Sequence, residues 1–248
     1  MPRDGVRPPF LYCVVNLFAL CGLCRVIQSL KEKLMRNLLS TIMMSVAMLV
    51  FVMSPVHAEE PYKAGDHYHV LAEAVATSNP AKIEVAEVFW YGCSHCYTFE
   101  PVLNKWKQGL SEDVEFVRVP AIWHPTMRLH AKAYFTAKAM KSLDQLHEAI
   151  FEEMNPKKAK LKTEEEIADL FEANGIDRAR FTKVFNSAGI NMAVDLAAKK
   201  QERYDIKGTP EMVVNGKYRI SGRDNGGNAG MLKVASYLIE RERSLMGQ

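Results

Sequence analysis

Residues 82–96 decide how this chain folds, and their sequence is Lys82-Ile83-Glu84-Val85-Ala86-Glu87-Val88-Phe89-Trp90-Tyr91-Gly92-Cys93-Ser94-His95-Cys96. In an extended chain, Ile83, Val85 and Phe89 lie on one face, and Ala86, Val88 and Trp90 lie on the other. Apolar residues on both faces are typical of a strand at the buried centre of a sheet. The pattern therefore predicts a central strand over residues 82–91 that ends directly before Cys93.

The residues after this strand change from the period of a strand to that of a helix. Apolar residues recur at intervals of three and four, at Phe99, Leu103, Trp106 and Leu110. The next strand is predicted over residues 114–119. A strand, a helix and a strand in this order give a parallel pair with a right-handed crossover. Cys93 is thus predicted to lie where the central strand ends and the helix begins.

The rest of the chain predicts a block of helices followed by a return to the sheet. Helix start signals lie at Ser142 with Gln145, at Thr163 with Glu166, and at Asp177. Two short strands flank Asn215-Gly216, which is a strong hairpin signal, and a final helix follows. We therefore predict an α/β fold in which residues 59–120 and 191–248 form one sheet-based domain. Residues 121–190 form a helical insertion in it.

The first 58 residues predict a leader that takes no part in the fold. Met35-Arg36-Asn37 precedes an apolar run over 38–53, and Ala58 precedes an acidic, polar segment. A charged start, a short apolar run and a small residue are typical of a secretory signal peptide. We predict residues 35–58 as this signal peptide, cut after Ala58; the alternative is a membrane anchor that stays uncut. Residues 1–34 are either an over-long start or an extended leader.

The charge balance argues against a nucleic-acid partner. The chain has 32 Lys and Arg residues and 29 Asp and Glu residues. Six of the basic residues and two of the acidic ones lie in the leader, which leaves residues 59–248 with a net charge of −1. A domain without a basic excess lacks the electrostatic footprint of nucleic-acid binding.

The cysteines indicate a reactive pair rather than a structural disulfide. Cys13, Cys21 and Cys24 lie in the leader, so the rest of the chain keeps only Cys93 and Cys96. A disulfide across two intervening residues closes a loop too small to restrain the unfolded chain much. An inert surface disulfide and a metal site stay open as alternatives, although zinc needs four ligands. We predict no metal and no cofactor beyond the cysteines themselves.

The start of a helix is a suitable place for a reactive thiolate. The first N–H groups of a helix lack partners within it, and its dipole is positive there, so the pKa of Cys93 should be lowered. Cys93 is the predicted nucleophile, and Cys96, one turn further on, resolves the mixed disulfide. His95 lies between them and can donate a hydrogen bond to the Cys93 thiolate. Such stabilisation of the reduced form makes the disulfide more oxidising.

These residues resemble the DsbA family of periplasmic disulfide oxidases. The resemblance rests on residues 87–97, on Gly208-Thr209-Pro210 and on residues 213–218, and it covers essentially all of 59–248. It implies a thioredoxin-like fold with an inserted helical domain and a redox-active Cys93–Cys96 disulfide; a depressed cysteine pKa and an oxidising potential are known properties of the family. It also implies a monomer that oxidises reduced, unfolded exported polypeptides in the periplasm. A DsbB-like membrane quinone reductase would reoxidise it.

Thr209 and Pro210 are predicted to bind substrate. In thioredoxin-like folds the matching proline is cis, and the residue before it pairs with an extended peptide; the alternative is an ordinary trans proline at an edge strand. Two residues depart from the family pattern. Ser94 stands where the family usually has Pro, and Thr209 stands where it often has Val. Both departures bear on the strength of oxidation, not on the reaction type.

Glu87 is the remaining candidate for the chemistry. It shares a face with the apolar residues Ile83, Val85 and Phe89, and a buried carboxylate is costly. Six residues before Cys93, it could lie under the disulfide and exchange a proton with Cys96. The alternative is a glutamate at the strand end that reaches solvent.

The sequence thus predicts a thiol:disulfide oxidoreductase that acts as an oxidase, with two alternatives. A disulfide isomerase or reductase of the same fold would share the motif, but such isomerases carry a separate dimerisation domain, for which residues 59–80 leave too little room. A non-redox peptide-binding chaperone would keep the groove and would have no need of Cys93.

Overall fold

The computed structural model describes residues 27–44 and 60–247, and the chain divides into two units between Glu59 and Glu60. In the first unit, residues 27–44 form a helix (α1) with exposed side chains. Within the described ranges, no helix combines the length and the apolar character needed to cross a membrane. The predicted cut after Ala58 and the three leader cysteines lie outside the described residues.

The second unit follows the predicted order of strands and helices. Its strands are β1 (His69–Val70), β2 (Ile83–Phe89), β3 (Val114–Pro120), β4 (Glu211–Val214) and β5 (Tyr218–Ser221). Its helices are α2 (Ser94–Lys107), α3 (Pro125–Ala139), α4 (Leu143–Met154), α5 (Glu164–Ala173), α6 (Arg178–Phe185), α7 (Ala188–Arg203) and α8 (Asn228–Met246). A short 3-10 turn, Gly222–Asn225, joins β5 to α8.

The five strands form a mixed sheet in the order β1-β5-β4-β2-β3. β2 pairs with β3 in parallel and with β4 antiparallel, and all seven of its residues are buried. The prediction of a central strand is therefore confirmed. Asn215 and Gly216 both have positive φ, 50° and 62°, as a tight two-residue turn between twisted strands requires.

Apolar side chains cover both faces of β2. On one face, Ile83 and Val85 pack against Phe99 of α2. On the other face, Ala86 packs in a cluster with Tyr204, which follows α7. Full burial of a side chain such as that of Phe99 stabilises the fold by roughly 1.5–3 kcal/mol relative to leaving it exposed. This packing holds α2 against the sheet and fixes the position at which the helix begins.

The helical block occupies the predicted place after β3. Thr163 and Asp177 cap α5 and α6, because each side chain accepts a hydrogen bond from a backbone N–H three residues on. The capping box predicted at Ser142 is wrong, since its side chain accepts no hydrogen bond from the first turn of α4 and its backbone (φ −118°, ψ 16°) is not extended as at a usual N-cap. The domain boundaries at 121 and 190 stay predictions, and the second of them falls inside α7.

Glu84 ties α7 to the sheet from within β2. Its side chain is 1% exposed, and its carboxylate accepts hydrogen bonds from Lys200 Nζ at 2.6 Å, from the Ser78 N–H at 2.8 Å and from the Tyr204 hydroxyl at 3.2 Å. Burial alone would raise the pKa of Glu84, but the hydrogen bonds from Lys200 and Ser78 outweigh it and lower the pKa. Glu84 is therefore ionised at neutral pH.

We expect Glu84→Gln to destabilise the protein by about 2 kcal/mol at pH 7, because it breaks a largely buried ion pair whose lysine still reaches solvent. The pKa of Glu84 is lower in the folded than in the unfolded protein, so this stabilisation is present above the unfolded pKa and is lost as the pH falls through the folded one. Urea denaturation from pH 7 down to pH 3 measures the difference.

The control is Glu153→Gln, which removes the exposed pair with Lys157 and should change stability little. A Glu84→Gln deficit that stayed the same at every pH would contradict the ion-pair interpretation.

Candidate active site

Cys93 is the N-cap residue of α2. The turn between β2 and α2 requires glycine at position 92, because a Cβ on Gly92 would lie 2.3 Å from the side chain of Trp90. That side chain is held in place, since Trp90 Nε1 donates to His130 Nδ1 at 2.9 Å. The end of the central strand therefore delivers Cys93 to the first turn of the helix, as predicted.

The sulfur of Cys93 lies among several hydrogen-bonding groups. The Cys96 N–H donates to Sγ at 3.4 Å, and the Cys93 thiol donates to the Thr209 carbonyl at 3.3 Å. The largest effect on the thiolate is a hydrogen bond from the Cys96 thiol; burial opposes it, and the Thr209 side chain and the N–H groups of Cys96 and His95 support it. Together they lower the pKa of Cys93 from 9.0 to about 5.

Cys96 has the opposite environment. It is fully buried, whereas Cys93 is partly exposed, and both are free thiols in this structure. Burial is the main reason that the pKa of Cys96 is raised well above its ordinary value, and the neighbouring Cys93 and the charge of Glu87 raise it further. At neutral pH the reduced pair therefore consists of a thiolate at Cys93 and a thiol at Cys96.

His95 lies beside the pair and acts on it through its backbone. Its side chain is exposed, and its backbone N–H helps to lower the pKa of Cys93. The His95 carbonyl accepts a hydrogen bond from Asn228 Nδ2 at 3.3 Å, which ties the start of α2 to the start of α8. A role for the imidazole itself stays a prediction.

The predicted substrate-binding residues lie directly opposite Cys93. The peptide bond between Thr209 and Pro210 is cis, as predicted. These residues precede β4, the strand that pairs with β2, so the sheet brings Thr209 to the Cys93 sulfur. A cavity of about 690 Å³ extends from this loop past His95 and Arg219.

Glu87 is fully buried, which excludes the alternative that it reaches solvent. Its Oε2 accepts from Arg118 Nε at 2.9 Å, and its Oε1 is buried with no hydrogen-bond partner in the described part of the chain. Burial raises the pKa of Glu87 to about 7, opposed by the charge of Arg118 and supported by that of Glu100. Glu87 can therefore hold or release a proton near neutral pH, and its charge acts on Cys96.

Sequence reasoning missed three members of this site: Arg118, Glu100 and His147. Arg118 Nη2 donates to Glu100 Oε2 at 2.8 Å, and His147 Nε2 donates to Glu100 Oε1 at 3.3 Å. A signal for Arg118 was present, because the parallel register of β2 and β3 puts it opposite Glu87. Residues 27–44 and 60–247 contain no group of three His, Cys, Asp or Glu side chains arranged to bind a metal ion.

Comparison with known proteins places this site in a family. The family model described as DSBA-like thioredoxin domain matches residues 111–228. The chain is 40% identical over 210 residues to the thiol:disulfide interchange protein DsbA of Pseudomonas aeruginosa, which covers 85% of this chain and 98% of that protein. The chain belongs to the DsbA family. The DsbA of Azotobacter vinelandii is 43% identical over 182 residues, which is 73% of this chain and 85% of that protein.

Solved structures of DsbA proteins share the fold. The crystal structure of Pseudomonas aeruginosa DsbA matches with a TM-score of 0.73 and 41% identity, covering 75% of this chain and 97% of that one. The DsbA of Xylella fastidiosa matches with a TM-score of 0.69 and 28% identity, covering 74% and 98%. The predicted thioredoxin-like DsbA fold is confirmed, and this DsbA-family protein is a thiol:disulfide oxidoreductase.

We expect the Cys93 thiol to titrate with a midpoint near pH 5, followed by the ultraviolet absorbance of the thiolate in the reduced protein. Cys93→Ser should lack this transition. A midpoint near that of a free cysteine would contradict the environment described above.

We expect Thr209→Val to raise the pKa of Cys93 by about half a unit or more, because the substitution removes a hydroxyl that donates to the thiolate. Thr209→Ser keeps the hydroxyl and is the matched control. Equal midpoints in the two variants would show that the hydroxyl has no part in lowering the pKa.

Proposed function

We propose that this enzyme is a periplasmic dithiol oxidase that introduces disulfide bonds into reduced exported polypeptides, using Cys93 and Cys96. The observation that carries the proposal is the difference between the two cysteine thiols: the pKa is about 5 at Cys93 and is strongly raised at Cys96. A disulfide bears no charge, so every group that stabilises the Cys93 thiolate favours only the reduced form. The closed pair is therefore a strong electron acceptor.

Oxidation of a substrate then takes two exchange steps. A substrate thiolate attacks Cys93 Sγ, the Cys93–Cys96 bond breaks, and Cys96 leaves with the electron pair and takes up a proton. A second substrate thiolate attacks the substrate sulfur of the mixed disulfide and releases Cys93 as a thiolate, which leaves readily because of its low pKa. The substrate loses two electrons and gains a disulfide, and the enzyme retains both electrons as its dithiol form.

Glu87 is the proposed source of the proton that Cys96 takes up. A buried thiolate at Cys96 is costly, and Glu87 is close enough for its charge to act on that thiol. A general acid works best when its pKa lies near the working pH, and the pKa of Glu87 is about 7. During reoxidation the same carboxylate would accept the proton back.

Thr209 and Pro210 are the proposed substrate-binding residues. The Thr209 carbonyl lies 3.3 Å from Cys93 Sγ, so an extended substrate segment that pairs with Thr209 would bring its own cysteine to that sulfur. Pro210 lines the same cavity. In the disulfide form Cys93 has no thiol hydrogen, so the Thr209 carbonyl is free to accept a hydrogen bond from the substrate backbone.

Export and reoxidation complete the proposal. The signal-peptide pattern of residues 35–58 supports cleavage after Ala58 and release into the periplasm. We propose a monomer that passes its electrons to a DsbB-like membrane quinone reductase, as in the family that it resembles. The second candidate function is a disulfide isomerase or reductase, which Thr209 favours because threonine before the cis-proline resembles the isomerase relatives.

The reduction potential separates these candidates. We expect it, measured against glutathione, to be well above the value of about −270 mV of thioredoxin. Because Cys93 is already ionised above pH 5, oxidation there releases one proton, and the potential should fall by about 30 mV per pH unit. Below pH 5 the slope should approach twice that value. A potential near that of thioredoxin would favour the reductase.

Substitution at Cys93 and Glu87 tests the reaction steps. Cys93→Ser should abolish oxidation of a reduced peptide, whereas a non-redox chaperone would keep its activity.

Glu87→Gln should slow opening of the disulfide by at least about tenfold, because the amide cannot supply a proton. Stopped-flow kinetics with Glu152→Gln, which changes an exposed carboxylate, provide the control. Unchanged kinetics in Glu87→Gln would remove Glu87 from the mechanism.

A further inference from the structure

A chain of hydrogen bonds links the helical block to the carboxyl group that serves Cys96. The Tyr91 hydroxyl lies 2.8 Å from His147 Nδ1, and His147 Nε2 lies 3.3 Å from Glu100 Oε1. Arg118 then bridges the two carboxylates, at 2.8 Å from Glu100 and 2.9 Å from Glu87. The side chains of His147, Glu100, Arg118 and Glu87 are at most 14% exposed. Glu100, Arg118 and His147 line a cavity of about 750 Å³, so water reaches one side of the group, whereas Glu87 is fully buried.

The partners of His147 fix its tautomer. Burial acts to raise the pKa of Glu100, but the hydrogen bond from His147 and the charge of Arg118 outweigh it, so Glu100 is ionised and cannot donate. His147 Nε2 must then carry the hydrogen, and Nδ1 accepts from the Tyr91 hydroxyl. Burial lowers the pKa of His147, which keeps the ring neutral. His147 is thus a fixed donor to Glu100.

Glu87 and Glu100 bind different nitrogens of one guanidinium, that of Arg118. Two ionised carboxylates face a single buried Arg118, and the partly exposed Lys107 offsets the second negative charge only in part. Arg118 couples the two carboxyl groups, so near neutral pH one proton is divided between them through their charges rather than through a direct hydrogen bond. The carboxylate with the additional donor holds its negative charge more easily. His147 supplies that donor to Glu100, so the proton resides on Glu87.

We propose that His147 is a positioning residue for the disulfide chemistry, which directs the shared proton to Glu87 by donating a hydrogen bond to Glu100. This inference rests on the proposed role of Glu87 as the acid for Cys96. Among the described residues, the other titratable or charged groups facing this cluster are Cys96, Tyr97 and Lys107 of α2, Tyr134 of α3, Asp144 and Glu148 of α4, and Tyr91. Closing the Cys93–Cys96 disulfide removes both thiols from the titration, so the oxidised protein is the form to measure.

The test is the titration of Glu87 by NMR of isotope-labelled glutamate carboxyl carbons, with the signal assigned from Glu87→Gln. His147→Phe removes both hydrogen bonds of the ring. His147→Asn can still reach Tyr91 but not Glu100, and His147→Gln offers an amide N–H near the position of Nε2.

The matched control is His130→Phe. His130 is also a buried histidine, 2% exposed, and it bonds to Trp90 Nε1 and to the carbonyl of Leu161 rather than to a carboxylate. This variant removes a buried imidazole of the same kind that bonds to neither carboxyl group; because it also releases Trp90 Nε1, it serves as the control for the Glu87 midpoint and not for the reaction rate.

The pKa of Glu87 is about 7 in the dithiol form and is set by burial, Arg118, Glu100 and Lys107 rather than by the thiols, so we expect a midpoint near pH 7 in the oxidised protein as well. His147→Phe and His147→Asn should lower it by about half a pH unit or more, and His147→Gln and His130→Phe should leave it in place. The rate at which a reduced peptide opens the disulfide should fall about twofold at pH 7 in the first two variants and stay unchanged at pH 5, because only the protonated fraction of Glu87 changes.

An unchanged Glu87 midpoint in His147→Asn, or an equal shift in His130→Phe, would overturn the inference and leave the oxidase function intact. If His147→Phe does not fold, the comparison of the Glu87 midpoint in His147→Asn with that in His147→Gln is the test by itself. A Glu87 that does not titrate between pH 5 and pH 9 in the unchanged protein would overturn the proposed role of Glu87 together with this inference.

Discussion

The stabilisation of a negative sulfur at Cys93 is the interaction on which the rest of the site depends. Cys93 occupies the N-cap of α2, where unpaired N–H groups and the helix dipole favour an anion. The Cys96 thiol and Thr209 add hydrogen bonds. None of these interactions has a comparable charge to stabilise once the disulfide closes. The geometry of one helix start therefore sets the direction in which electrons flow.

The frame that supplies this helix start was predictable from sequence because its signals are local. β2 is apolar on both faces, the Asn215-Gly216 turn identifies the hairpin, and the period changes at Cys93. Each signal involves residues close together in the chain, and each element formed as predicted. The capping box at Ser142 failed because Ser142 has φ −118° and ψ 16° rather than the extended conformation usual at an N-cap, and the sequence pattern does not contain this backbone conformation.

The polar network beneath the cysteines was predictable only in part. Glu87 stood out as a carboxylate in an apolar strand, and its parallel register with Arg118 follows once β2 and β3 are paired. Glu100 and His147 gave no such signal, because their meeting depends on how α4 packs near α2. Contacts between helices distant in sequence are set by the shapes of whole faces rather than by the spacing of a few residues.

Burial of β2 serves both the scaffold and the chemistry. A strand in the middle of the sheet fixes the start of α2, and burial raises the pKa of one of its two carboxyl groups, Glu87, to about 7, whereas Glu84 has the hydrogen bonds that keep it ionised. A Cys93 that keeps its charge leaves Cys96 as the sulfur that must gain and lose the proton. An acid near Cys96 with a pKa close to the working pH meets this need. A glutamate at an exposed edge strand would keep its ordinary pKa and would be ionised throughout the neutral range. The central position of β2 therefore explains how one strand can both place the start of α2 and hold the carboxyl group that we propose as the proton source for Cys96.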